Sequence, residues 1–250
     1  MNLGSGNLSL NQSSNTTFAG IIAGTGGIAK SGAGRLTLSG ANTFTGDTDV
    51  TAGELRLYGS AANSRFRING GRLSGSGTVG QLILGNGGIL APGNSPGTLN
   101  AGDTTWEGGG AFEWEINNAA GIVSTNWDLL NITGGLTITA TEANPFSINL
   151  VSLTTGNEAG DVINFDQNAN AVYSIAATTT GISGFTTDAF TLNTSGFSND
   201  FSGLWSLTVD GNNLNLVYTS AVPEPSSFAI IVGFLVLGFT TTRRARRDAK

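Results

Sequence analysis

The 250-residue chain contains no cysteine and no histidine, and only one methionine. Without cysteine there is no disulfide, no thiol nucleophile and no thiolate metal site. Without histidine there is no imidazole ligand, no Ser–His or Cys–His nucleophile pair, and no ordinary neutral-pH base. Charge is also scarce. Asp, Glu, Lys and Arg make up 11% of residues, against roughly 25% in soluble domains. Five of the eleven cations stand at the extreme end, and no Lys or Arg occurs from Leu73 to Thr242. A nucleic-acid groove needs clustered cations on the folded body, so a nucleic-acid partner is excluded.

Glycine, at 38 of the 250 positions, fills the gap together with abundant threonine and asparagine. The chain is polar through hydroxyls and amides. Threonine suits strands, and Gly and Asn suit turns. Hydrophobic residues reach 39%, enough for a core. Short runs alternate cleanly: Leu36-Thr37-Leu38, Glu54-Leu55-Arg56-Leu57, Gln81-Leu82-Ile83-Leu84 and Leu136-Thr137-Ile138-Thr139. Period-two alternation means one face in and one face out. Before Pro225 no sustained helical stripe appears.

Gly4-Ser5-Gly6-Asn7-Leu8-Ser9-Leu10 returns as Gly32-Ala33-Gly34-Arg35-Leu36-Thr37-Leu38. Thr17-Phe18-Ala19-Gly20 returns as Thr43-Phe44-Thr45-Gly46. A period in the twenties with β-runs and Gly/Asn turns predicts a β-solenoid. Leu36, Leu38, Leu55, Leu57, Leu82, Leu84 and Leu90 would line its interior, with Phe44 at a corner. Residues 101–220 carry longer strands, all four Trp, and a hairpin signal at Leu207–Leu216 around Asp210-Gly211. They read as final coils and a cap over the open end. Core filling is the simpler role for Trp106, Trp114, Trp127 and Trp205; a sugar-stacking platform is the sharper one.

Gly40-Ala41-Asn42-Thr43-Phe44-Thr45-Gly46, then Val50 and Ala52-Gly53-Glu54-Leu55, resembles the autotransporter-associated β-strand repeat. So do Gly75-Ser76-Gly77-Thr78-Val79 and Leu90-Ala91-Pro92-Gly93-Asn94-Ser95-Pro96-Gly97-Thr98-Leu99. The resemblance covers about residues 4–220 and implies an all-β, single-stranded right-handed parallel β-helix. No membrane-barrel strands follow, so self-secretion through a barrel is not expected. Met1–Gly6 has neither a basic nor an apolar leader segment and reads like the inside of a repeat. An upstream portion is therefore expected.

The chain's end differs in kind. Val222, Pro223, Glu224 and Pro225 form a stiff break. An uncharged run follows, with Phe228, Ile230, Ile231, Val232, Phe234, Leu235, Val236, Leu237 and Phe239 as its apolar residues. Arg243, Arg244, Arg246 and Arg247 close it. As a helix over 227–242 this would just span a bilayer, with the arginines cytoplasmic. The tail resembles the PEP-CTERM sorting signal of Gram-negative bacteria. That resemblance implies an exosortase-type processing enzyme as partner, an inner-membrane anchor before processing, and delivery to the outer surface or matrix. The expected layout is thus solenoid repeats over 1–100, final coils and cap over 101–220, and a sorting tail with one transmembrane helix over 221–250.

Few residues could do chemistry. Glu113 and Glu115 sit two apart on a strand, about 7 Å from each other, a spacing a glycosidase could use. Their surroundings, Phe112-Glu113-Trp114-Glu115-Ile116, also read as an ordinary strand with acids outward. Asp47 and Asp49 share the spacing, and Gly46–Asp49 and Asp210–Asn213 read as acidic turns without calcium-loop spacing. Arg65-Phe66-Arg67 reads as a strand's outer face. No metal and no cofactor is expected. The function expected is a non-enzymatic, exported structural or adhesive protein with exopolysaccharide as a partner. A carbohydrate-active β-helix enzyme is the alternative.

Overall fold

A computed structural model describes residues 1–221. The tail residues Val222–Lys250, including the proposed sorting motif, apolar span and arginines, lie outside the described residues. Within 1–221 the chain winds through eight coils. The first two contribute two strands each: β1 (Leu8–Asn11) and β2 (Thr16–Phe18), then β3 (Ile28–Ser31) and β4 (Arg35–Leu38). The third adds a third strand: β5 (Thr48–Val50), β6 (Glu54–Leu57) and β7 (Ser60–Ala61). The same three-strand order continues with β8 (Phe66–Ile68), β9 (Arg72–Gly75) and β10 (Thr78–Val79), and with β11 (Leu82–Leu84), β12 (Ile89–Pro92) and β13 (Thr98–Ala101). Next come β14 (Thr104–Trp106), β15 (Ala111–Ile116) and β16 (Leu129–Ile132), then β17 (Leu136–Ile138), β18 (Phe146–Ser152) and β19 (Ala171–Thr178). The last coil holds β20 (Ile182–Ser183), β21 (Phe190–Gly196), β22 (Leu204–Asp210) and β23 (Asn213–Thr219).

Equivalent strands stack in register as three sheets. The first runs β1-β3-β5-β8-β11-β14-β17-β20, the second β2-β4-β6-β9-β12-β15-β18-β21, and the third β7-β10-β13-β16-β19-β23-β22. Pairing between coils is parallel throughout the first two sheets and as far as β19 in the third. The final hairpin β22–β23 is antiparallel, and β23 docks antiparallel on β19. Its two-residue turn, Gly211-Asn212, has Gly211 at φ +56, as a tight hairpin needs. This is the hairpin expected from the sequence. The only helical element among the described residues is the 3₁₀ turn Thr187–Ala189, and no described helix is long and apolar enough to cross a membrane.

The true repeat is shorter than the sequence suggested. Leu8 pairs with Ile28, Ile28 with Thr48, and Thr16 with Leu36, so the first full coil runs from Leu8 to Gly27. The longer sequence match, Gly4–Leu10 with Gly32–Leu38, aligned β1 of the first sheet with β4 of the second, one coil plus one turn apart. Both sheets use the same Gly-x-Gly-x-Leu-x-Leu wording, which hid the shift. Later coils lengthen: Thr104 pairs with Leu136, and Leu136 with Ile182. The added residues sit mainly in the connections 117–128 and 153–170.

One apolar core runs through the stack, from Ile22 to Tyr218. All seven expected interior leucines are buried, and Phe44 is fully buried at its corner. The four Trp face inward with the core aromatics. Trp106 stacks on Phe146 with ring centres 4.5 Å apart, Trp114 and Trp127 flank Tyr173, and Trp205 packs among Phe165, Phe197 and Tyr218. An external aromatic platform is thereby replaced by core packing. Lys30, too, lies inside. Its buried ammonium donates to the carbonyls of Ser31, Gly32 and Ala52, closing the turn between coils. Burial lowers its pKa.

Glycine is abundant because corners stack on corners. Gly20, Gly40, Gly59 and Gly77 form a column in which a Cβ on Gly40, Gly59 or Gly77 would stand 2.0–2.3 Å from the carbonyl oxygen of the glycine one coil before. Gly6, Gly26 and Gly46 form another. No side chain fits at that approach.

Candidate functional site

The outer face of the second sheet carries a cluster of charged side chains. Alternation puts Leu36, Leu55, Leu73 and Phe112 inward and leaves Arg35, Glu54, Arg72 and Glu113 outward. Register places Arg35 beside Glu54 and Glu54 beside Arg72, with Arg56 beside Ser74. Glu54 accepts from Arg56 at 2.8 Å and from Ser74 Oγ at 2.5 Å, with Arg35 at 3.9 Å. Burial alone would raise the Glu54 pKa. The hydrogen bonds from Ser74 and Arg56, with the charges of Arg56 and Arg35, outweigh it, and the carboxyl lies below its usual range. Arg72 reaches two coils along and clasps Glu113 through both terminal nitrogens, at 2.5 and 2.9 Å. That bidentate contact raises the Arg72 pKa against the opposing effect of burial.

Glu113 and Glu115 do share the outer face, as alternation required. Their settings differ. Glu113 is held by Arg72, whereas Glu115 has no ion pair among the described residues and is hydrogen-bonded by Ser95. Burial raises the Glu115 pKa, and the nearby Glu113 charge adds to this against Ser95 and the two arginines.

Glu115 borders a groove of about 190 Å³ lined by Arg56, Arg72, Ser74 and the loop Ala91–Ser95. That loop is the Pro92-Gly93-Asn94-Ser95-Pro96-Gly97 segment singled out in the sequence. Gly93 exchanges two backbone hydrogen bonds with Gly75 and has φ +81; Gly97 lies so close to it that neither position admits a side chain. Ser95 also adopts a left-handed conformation, and Ser95-Pro96 is cis. Beneath the loop lies Asp128, with no exposed surface. Its carboxylate accepts from the Gly97 N–H at 2.7 Å and the Glu115 N–H at 3.0 Å. Its carbonyl accepts from Trp114 Nε1. Burial pushes the Asp128 pKa well up, reinforced by the Glu115 charge and only partly countered by the two N–H donors. Asp128 thus pins the loop to β15. Sequence reasoning passed over it because its partners, Glu115 and Gly97, are far from it along the chain.

The Asp47 and Asp49 pair lies against surface arginines. Asp47 contacts Arg65, and Asp49 lies 3.9 Å from Arg67. Thr48–Val50 is strand β5, so Gly46–Asp49 is not a turn throughout. Phe66 points inward between Arg65 and Arg67, as expected. Among the described residues no group of three or more acidic side chains could hold a metal.

Against known proteins, residues 28–57, which span β3 to β6, match the passenger-associated-transport-repeat family. The chain is 37% identical over 166 residues to an extracellular serine protease of Serratia marcescens, covering 65% of this chain and 14% of that protein. It is 37% identical over 99 residues to the adhesin BmaC autotransporter of Brucella suis biovar 1 (strain 1330), covering 38% of this chain and 3% of the adhesin. The chain therefore spans a small part of either relative's length. The stretch that matches the passenger repeat, residues 28–57, lies within the β-helix-like stack of parallel strands.

Proposed function

We propose that this chain is a passenger-like segment of an exported protein whose work is structural or adhesive. The observation that carries the reading is the stack itself: three sheets around one continuous core, with the passenger repeat at residues 28–57. Such a stack presents a long outer surface of Thr, Ser and Asn, and exopolysaccharide is the partner that surface suits. The relatives are described as extracellular or as an autotransporter adhesin. A protease role does not travel with the likeness, because this chain supplies no His for a Ser–His pair. Of the candidate acid pair, Glu113 is clasped by Arg72, which leaves Glu115 without a free second carboxylate beside it.

We further propose that Val222-Pro223-Glu224-Pro225 is the sorting motif read by an exosortase-type enzyme. Phe228–Phe239 would hold the chain in the inner membrane, and Arg243, Arg244, Arg246 and Arg247 would keep the end cytoplasmic. Mass spectrometry of the C-terminus, on protein from the native Gram-negative envelope, tests this. A terminus near Val222–Pro225 is expected. An intact Lys250 in the membrane fraction would remove processing and leave an anchor. Intact protein in the cytoplasm would remove export altogether.

A further inference from the structure

We propose that the groove between Glu115, the two arginines and the Ala91–Ser95 loop binds one neutral sugar ring. The inference deepens the surface reading above and rests on it.

Size comes first. At about 190 Å³ the groove lies below the ~300–1,000 Å³ of a drug-sized pocket, the scale of one ring rather than of a peptide. Charge comes second. Three arginines, Arg35, Arg56 and Arg72, face three carboxylates, Glu54, Glu113 and Glu115, while Asp128 is sealed beneath the loop. The local balance near zero draws neither an anion nor a cation. Both Arg56 and Arg72 have already given their ion pairs to Glu54 and Glu113.

Hydrogen-bonding capacity remains. Arg56 is committed to Glu54, Ser74 and Tyr58, whereas Arg72 commits Nη1 and Nη2 to Glu113 and leaves Nε. Asn94 Oδ1 accepts from Tyr58 Oη at 2.8 Å, which leaves the amide NH₂ of this exposed residue as a donor. Glu115 offers carboxylate lone pairs that no cation occupies. Fixed donors opposite a free acceptor match vicinal hydroxyls, each of which both gives and accepts. The groove sits on a packed sheet with its loop pinned by Asp128, so little must be ordered on binding.

The test is amide chemical-shift titration of the ¹⁵N-labelled full chain, held in amine-oxide micelles that carry no sugar. The probes are methyl β-D-glucopyranoside, methyl β-D-galactopyranoside and N-acetylglucosamine, with D-glucuronate and sulfate as charged comparisons. At least one neutral probe should give saturable shifts at Tyr58 and Gly93–Ser95, with Kd of about 1–10 mM for so small a ligand. Glu115→Gln should weaken it about tenfold. Asn94→Ala, at an exposed position that leaves folding intact by circular dichroism, should weaken it at least about threefold. No shift with any neutral probe, stronger binding of glucuronate or sulfate, or wild-type affinity in both variants overturns the proposal. A negative titration on protein that is found at the cell surface removes the sugar site and leaves the surface reading. Protein confined to the cytoplasm removes the surface reading.

Discussion

Replacing Gly59 by alanine tests the stacked-corner architecture most directly. The new Cβ would lie 2.0 Å from the Gly40 carbonyl oxygen, whereas ordinary contact begins near 3.4 Å. Coil two and coil three would have to part by about 1.4 Å at a corner where the strands are ~4.8 Å apart. Four backbone hydrogen bonds cross or flank that point: Tyr58 and Gly59 N–H to Leu38, Ser60 N–H to Gly40, and Thr78 N–H to Gly59. Loss of two or three, at about 1 kcal/mol each, with overpacking of about 1–3 kcal/mol, sums to roughly 3–6 kcal/mol. Gly156→Ala is the matched control, since its nearest neighbour is 3.7 Å away at an exposed loop. Stack stability is local, so the assay is native-state hydrogen exchange alongside urea denaturation. Amides of Tyr58, Gly59 and Ser60 should lose protection first in Gly59→Ala, while amides near Trp205 change less. Equal urea midpoints and equal exchange in the two variants would refute the stacked-glycine reasoning.

Other expectations concern the core and the buried charges. Trp106→Ala removes a fully buried ring stacked on Phe146 and should cost about 3–5 kcal/mol in urea unfolding. Lys30→Met leaves three turn carbonyls without their donor and should cost about 1–3 kcal/mol, read as a lowered Tm. Glu115 and Asp128 have raised folded pKa values. Their contribution to stability is full below the unfolded value, about 4, and is lost as pH rises through the folded one. Glu54 runs the other way, contributing above its unfolded value and losing that as pH falls through its lowered folded value. Glu115→Gln should therefore gain on the native chain at pH 8 relative to pH 4, measured by denaturation midpoints at both. A gap between the two chains that is the same at both pH values would contradict the assignment.

The β-solenoid was legible because its signals are local. Alternation in Leu36–Leu38, Glu54–Leu57 and Phe112–Ile116 states which side chains turn inward, and the structure buries those same residues. The hairpin at Asp210–Asn213 was legible for the same reason, since its turn is set by two residues. The coil length was not. An early coil contains two similar strand-and-glycine turns, and only backbone pairing says which turn lies over which.

The candidate site divides along the same line. Composition alone excluded thiol and imidazole chemistry, and period two placed Glu113 and Glu115 on one outer face. That Arg72 would claim Glu113 from two coils away, leaving Glu115 beside a groove, depended on register between coils. The pin made by Asp128 depended on it too, as did the burial of Lys30 and of Trp106, Trp114 and Trp205. Local pattern dictates which face a side chain takes, because that follows from the geometry of one strand. Which charges meet, and which are shut away from water, is settled only when the coils stack, because those distances run across the coils and not along the chain.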